Sequence, residues 1–167
     1  MNDARDILST YLHVRDGAQT EAIVASDSFW EELAQGKHPR LDSGRLMSAF
    51  TFAEPWASWE RHPAGEELVM LLAGEATVVL EQAGREQAVH LAKPGSYVLV
   101  PKNVWHTART RVATTMLFLT PGAGLRASEV IYDRAHSVFA RRPASSWDWD
   151  RLLEDANELA ADDLPLR

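Results

Sequence analysis

No cysteine occurs in the 167 residues of this chain, and that absence removes whole classes of chemistry. Disulfide frameworks, iron–sulfur clusters and thiolate zinc sites all need sulfur that is missing here. Basic residues are scarce as well: 17 lysines and arginines stand against 24 aspartates and glutamates, a net charge of −7. A nucleic-acid partner wants a basic surface to neutralise phosphates, so this balance disfavours one. Long apolar runs are also lacking. No stretch approaches the roughly 20 residues that span a bilayer, and the opening MNDARDILSTYLHVRD has no apolar signal-peptide core. What is present, 46% hydrophobic and 25% charged residues, is the make-up of a globular chain. The expectation is a single folded unit in the cytoplasm, an enzyme or binding protein with a small-molecule ligand and no nucleic-acid or membrane partner.

The patterning changes near Arg45. Ahead of it, SDSFWEELAQG predicts a short helix, with Ser26 or Asp27 as its cap and Gly36 as its stop. From Arg45 to Pro121 come short runs of strand-forming residues, among them RLMSAFTF, WASWERH, ELVMLLAG, EATVVLEQ, EQAVHLA, SYVLVP, VWHTARTRV and TTMLFLTP. Turn material separates them, as at Pro63–Gly65, Gly84–Arg85, Pro94–Gly95 and Lys102–Asn103. No helical period intervenes, which argues for an antiparallel sandwich or barrel. Near the end, SSWDWDRLLEDANELAADD predicts a helix with Ser145 or Ser146 as cap and Leu152, Leu153, Ala156, Leu159 and Ala160 as its apolar stripe. The chain divides into an N-terminal segment with a short helix (1–44), a β-barrel (45–121) and a C-terminal extension ending in a helix (122–167). Apolar strands, Trp59 and the amphipathic tail offer more hydrophobic surface than one small barrel needs, so a homodimer is expected.

The chemistry concentrates in WERHPAGEE, residues 59–67. Side chains two apart on a strand share a face, so Glu60 and His62 project together. Pro63–Ala64–Gly65 turns the chain, and Glu67 opens the next strand within reach of His62. A second histidine, His106, follows a second turn in PGSYVLVPKNVWH. Two hairpins with one histidine each and carboxylates beside the first suit one divalent ion. Without thiolates, the candidates are zinc, iron, manganese or nickel.

These residues resemble the cupin family. The first motif of that family is two histidines one residue apart, three or four residues, a glutamate, six residues and a glycine. Glu60, His62, Glu67 and Gly74 hold that spacing, with Glu60 in place of the first histidine. In the second motif Gly95, Pro101 and His106 match, while Asn103 replaces a glycine and Thr110 the closing asparagine. The resemblance implies a mainly β fold, a double-stranded β-helix or jelly-roll barrel, over roughly Arg45 to Pro121. It also implies a metal held by His62, Glu67 and His106 with Glu60, and chemistry of the dioxygenase, isomerase or lyase kind. This fold hosts many activities, so a non-catalytic module sensing a small molecule or a metal is the alternative. A barrel whose metal site has decayed, with Glu60 as the symptom, is a third reading.

Blander readings accompany each residue. His62 also reads as a turn histidine and His106 as a histidine satisfied inside the barrel, although the paired motifs favour ligands. Thr110 shares the parity of His106 and has a hydroxyl for a substrate oxygen; its plainer role is strand packing. Tyr97 and Trp56 complete the expected substrate-binding group. By parity Trp56 looks inward and Trp59 outward, while Arg109 and Arg111 point out to solvent. His13, His38 and His136 read as surface residues.

Overall fold

The computed structural model describes residues 3–17, 19–122 and 129–131. Two antiparallel sheets face each other across a shared core. The first comprises β1 (Thr10–Val14), β2 (Thr20–Val24), β3 (Arg45–Phe52), β5 (Glu67–Ala73), β8 (Tyr97–Val100) and β10 (Thr114–Pro121), in the order β2-β1-β3-β10-β5-β8. The second comprises β4 (Trp59–Arg61), β6 (Ala76–Gln82), β7 (Arg85–Leu91), β9 (Trp105–Arg109) and β11 (Glu129–Ile131), in the order β11-β4-β9-β6-β7. The mainly β, jelly-roll expectation holds, and the helical content is minor.

Alternation along the strands creates the core. On β5, Glu67, Val69 and Leu71 are buried while Leu68, Met70 and Leu72 between them are only half-buried. On β10, Met116 and Phe118 are buried in the same fashion. These side chains meet Ala76, Val78 and Leu80 of β6 and Ala108 of β9 from the opposing sheet. A second cluster of Tyr11, Ile23, Phe29, Leu33, Leu41 and Leu46 lies at the β2-β1-β3 end of the larger sheet. It is closed by helix α1 (Phe29–Ala34) and a 3-10 turn at Pro39–Asp42.

Two features of the first 44 residues differ from the sequence expectation. The stretches TYLHV and TEAIV form β1 and β2, which pair with each other and extend the sheet from β3. Five-residue strands joined by a polar turn carry too little periodicity to stand out. Helix α1 starts one residue later than expected, with Ser28 rather than Ser26 or Asp27 at its N-cap, and the Ser28 hydroxyl bonds Glu32 instead of a backbone amide. Gly36 does follow the helix with φ +73°. The expected C-terminal helix lies outside the described residues. Among those described, no helix is long and apolar enough to cross a membrane.

Two turn positions explain residue choices in the motifs. Gly74, at the end of β5, has φ +78°, and a Cβ there would sit 2.4 Å from the Ala113 carbonyl oxygen. Only glycine fits so close an approach. Asn103 takes φ 63°, a left-handed conformation that asparagine tolerates better than most residues. Its amide donates to the His62 carbonyl at 3.1 Å, tying the two histidine-bearing turns together.

Candidate metal centre

Backbone pairing brings the two motifs to one place. Glu60 on β4 lies directly opposite His106 on β9, so both side chains leave the same face of the smaller sheet. That face is the inward one, because His106 also pairs with Leu80, a core residue. From the other sheet, Glu67 at the start of β5 points inward to meet them, and His62 arrives from the end of β4. One ligand atom from each of Glu60, His62, Glu67 and His106 lies within 4.8 Å of all the others. His62, Glu67 and His106 are buried, and Glu60 is partly exposed.

The separations suit a shared ion. Glu67 Oε2 is 3.0 Å from His106 Nε2 and 3.2 Å from His62 Nε2, and Glu60 Oε1 is 3.4 Å from His106 Nε2. Ligand atoms about 2.1 Å from one ion stand roughly 3.0–3.4 Å apart when they are neighbours around it. The donor chemistry agrees: two imidazoles and two carboxylates are ligands for zinc and the mid-series transition metals. His106 Nδ1 lies 3.3 Å from the Val104 carbonyl oxygen, which can only accept, so Nδ1 carries a proton and Nε2 is turned toward Glu67. Thr120, a residue not singled out by the sequence motifs, donates its hydroxyl to the other oxygen of Glu67, Oε1, at 2.5 Å. Its parity with Met116 and Phe118 on β10 marks it as inward-facing. Its partner is visible only once β10 is seen to lie beside β5.

Without a metal, the cluster is held by charge. Burial alone would lower the His106 pKa, but hydrogen bonds and charge from Glu60 and Glu67 outweigh it and push the imidazole up to about 10. Burial would raise the Glu67 carboxyl, yet His106 and His62 hold it well below the usual carboxylate range. A proton therefore occupies His106 at neutral pH and must leave before Nε2 can bind an ion. The sign follows directly. Lower pH favours the protonated, metal-free form, and apparent metal affinity is expected to rise about tenfold per pH unit between roughly pH 6 and 8. Zinc titrations in buffers of different ionisation enthalpy should show at least one proton released per ion. Binding without pH dependence would mean that His106 is not a ligand.

The three residues expected to bind substrate are not brought together. Trp56 does look inward. Its ring packs against Phe118 and Phe52, with centroids 5.6 and 5.8 Å away. Tyr97 is corrected to the outer surface: it pairs with Met70 on the outward face of β5 and is 56% exposed. Its parity is opposite to that of Val98 and Val100, which face the core. Thr110 is buried, but at the far end of the sandwich, beside the start of β10 rather than its Thr120 end. Its hydroxyl is engaged with the Glu75 carbonyl at 2.8 Å and with the Thr114 hydroxyl at 2.7 Å. It lines a separate cavity of about 360 Å³ with His90, Arg109 and Arg111. Arg109, expected in solvent, is buried and donates to the Trp56 carbonyl at 2.7 Å. His13 is likewise buried, with Nε2 2.8 Å from the Ser43 carbonyl. His136 lies outside the described residues.

Comparison with known proteins adds the family. Residues 52–120 match the family model described as the cupin domain. The chain carries a cupin domain. Both motifs that converge on the cluster fall inside it, so the cupin domain contains a possible single-metal site formed by Glu60, His62, Glu67 and His106. No curated protein matches the chain. Among solved structures, a cupin-2 domain containing protein from Shewanella frigidimarina is 16% identical, covering 46% of this chain and 70% of its own, with a TM-score of 0.40. A cupin superfamily protein from Desulfitobacterium hafniense is 27% identical, covering 46% of this chain and 66% of its own, with a TM-score of 0.39.

Proposed function

We propose that the protein is a metal-dependent enzyme acting on a small oxygenated metabolite, with one divalent ion held by His62, Glu67 and His106 together with Glu60. The observation that carries this reading is the convergence of two imidazole nitrogens and two carboxylates from both sheets on one inward-facing point. A divalent ion bound there would polarise a carbonyl, enolate or hydroxyl oxygen of the substrate, and iron would add dioxygen chemistry.

The chain's own residues supply the rest. His106 is oriented by the Val104 carbonyl. Glu60 is the most accessible of the four, its side chain 25% exposed, so it stands where an approaching molecule meets the cluster and can take a proton from a hydroxyl. Deeper in, Phe118, Phe50 and Trp56 line the core; Phe50 and Phe118 stack at 4.5 Å. Apolar surroundings of this kind would favour a compact substrate with an apolar body and an oxygen at one end. Dioxygenase, isomerase and lyase reactions all fit such a substrate.

The test is metal analysis of protein purified without chelator, followed by assays of oxygen uptake and isomerisation or elimination across small hydroxy, keto and phenolic acids. One equivalent of metal with turnover supports the enzyme. One equivalent of metal with tight ligand binding and no product makes the protein a sensor. No metal after loading with zinc, manganese or iron(II) ends the reading.

A further inference from the structure

We propose that Thr120 is a positioning residue for the metal centre, holding Glu67 so that only Oε2 faces His62 and His106. This inference rests on the metal-site reading above. The two oxygens of Glu67 have divided partners: Oε1 accepts the Thr120 hydroxyl at 2.5 Å, while Oε2 lies 3.0 and 3.2 Å from the two histidine nitrogens. A hydrogen bond to an ionised carboxylate is stronger than one between neutral groups, and both residues are buried, so water does not compete for it. It fixes the rotation of the carboxylate about its last torsion, a broad and otherwise weakly held angle. It also occupies the oxygen that would be needed for Glu67 to bind an ion through both atoms. A single-oxygen ligand leaves more of the coordination sphere for substrate.

Thr120 is itself held from behind. It pairs with Leu46 on β3, whose side chain is fully buried in the second cluster. Two residues on, the Gly122 amide donates to the Gly44 carbonyl at 2.8 Å. A Cβ on Gly122 would sit 2.3 Å from the Ser43 carbonyl oxygen and 2.5 Å from that of Leu41. The chain after Thr120 is therefore pinned against the 3-10 turn, so the backbone that carries the Thr120 hydroxyl is held in place. A threonine kept only for packing would behave differently, because valine has nearly its shape and β-branching.

The experiment uses that difference. Thr120→Val keeps the volume and loses the hydroxyl; Thr120→Ser keeps the hydroxyl and loses a methyl group. Zinc affinity is measured by competition with a chromophoric chelator, and coordination by the visible absorption of the cobalt(II)-loaded proteins. We expect Thr120→Val to bind zinc about 10–100-fold more weakly, the usual effect of removing a partner behind a ligand, with an altered cobalt spectrum. Thr120→Ser should stay within about 3-fold of the wild type and keep its spectrum. The reverse order, with valine normal and serine impaired, would show a packing role and overturn the proposal. If the wild type takes up no metal, the enzyme reading falls by itself. Thr120 is then judged on metal-free protein, where Thr120→Val must lower the urea midpoint more than Thr120→Ser or the proposal falls too.

Discussion

Replacing His106 with alanine is expected to abolish stoichiometric metal binding. The loss should exceed about 100-fold, beyond the roughly 10–100-fold cost of disturbing a group behind a ligand. Two further effects follow in the metal-free protein. Breaking a buried ion pair by removing one partner typically costs about 3–5 kcal/mol, because the remaining charge stays buried without compensation. Here that charge is Glu67, which burial pushes up once His106 no longer holds it down. The cost depends on pH in a definite direction. The His106 pKa is raised in the fold, so its contribution is fully present below the unfolded value of 6.5 and is lost as pH rises through about 10. Urea unfolding of metal-free protein should therefore separate wild type from His106→Ala most near pH 6, with the gap narrowing at alkaline pH. Circular dichroism should still report the β-fold, since the core cluster of Val69, Leu71, Val78, Met116 and Phe118 is untouched. A full equivalent of zinc on His106→Ala would place the ion elsewhere.

Much of the barrel and of the His–Glu cluster was legible in the sequence, for physical reasons that can be named. RLMSAFTF and TTMLFLTP became β3 and β10 residue for residue: strand-forming residues run through both, Gly44 precedes the first and Gly122 follows the second. Glu60, His62, Glu67 and His106 came together because strand parity and the two turns fix their directions locally. Residues whose role depends on a partner strand were harder. Thr120 meets Glu67 only through the β5–β10 pairing, which no local pattern announces. Tyr97 lies in SYVLVP, a run apolar on both faces, so its parity had no reference until Val100 was seen buried and Leu99 exposed. Thr110 had the correct inward parity but the wrong end. The hydroxyl that replaces the motif's asparagine binds the backbone carbonyl of Glu75, about 13 Å along the chain from His106, given roughly 3.3 Å per residue.

Glu60→Gln tests the position at which this chain departs from the family's first motif. Glutamate there puts two carboxylates beside two neutral histidines, which balances a divalent ion. A three-histidine, one-glutamate set would leave it a unit positive. With an ion bound, such a neutral centre would be a weaker Lewis acid and would raise the pKa of bound water relative to that set. If Glu60 is a ligand, glutamine should weaken metal binding about 10–100-fold. The loss should depend on pH, because Glu60 is also one of the groups that hold the proton on His106. Glutamine lowers the His106 pKa, eases the proton's departure and offsets part of the lost affinity while His106 is protonated. The deficit should thus be smaller near pH 7, below the His106 pKa of about 10, and larger once the pH rises above it. If Glu60 instead stands off the ion and takes a substrate proton, metal content stays near normal and turnover collapses. The 3.4 Å approach of Oε1 to His106 Nε2 favours the ligand; the partial exposure of the side chain suits the base. Competition titrations below and above that pKa, paired with turnover, separate them. Unchanged affinity together with unchanged turnover would reduce Glu60 to a charged residue at a turn.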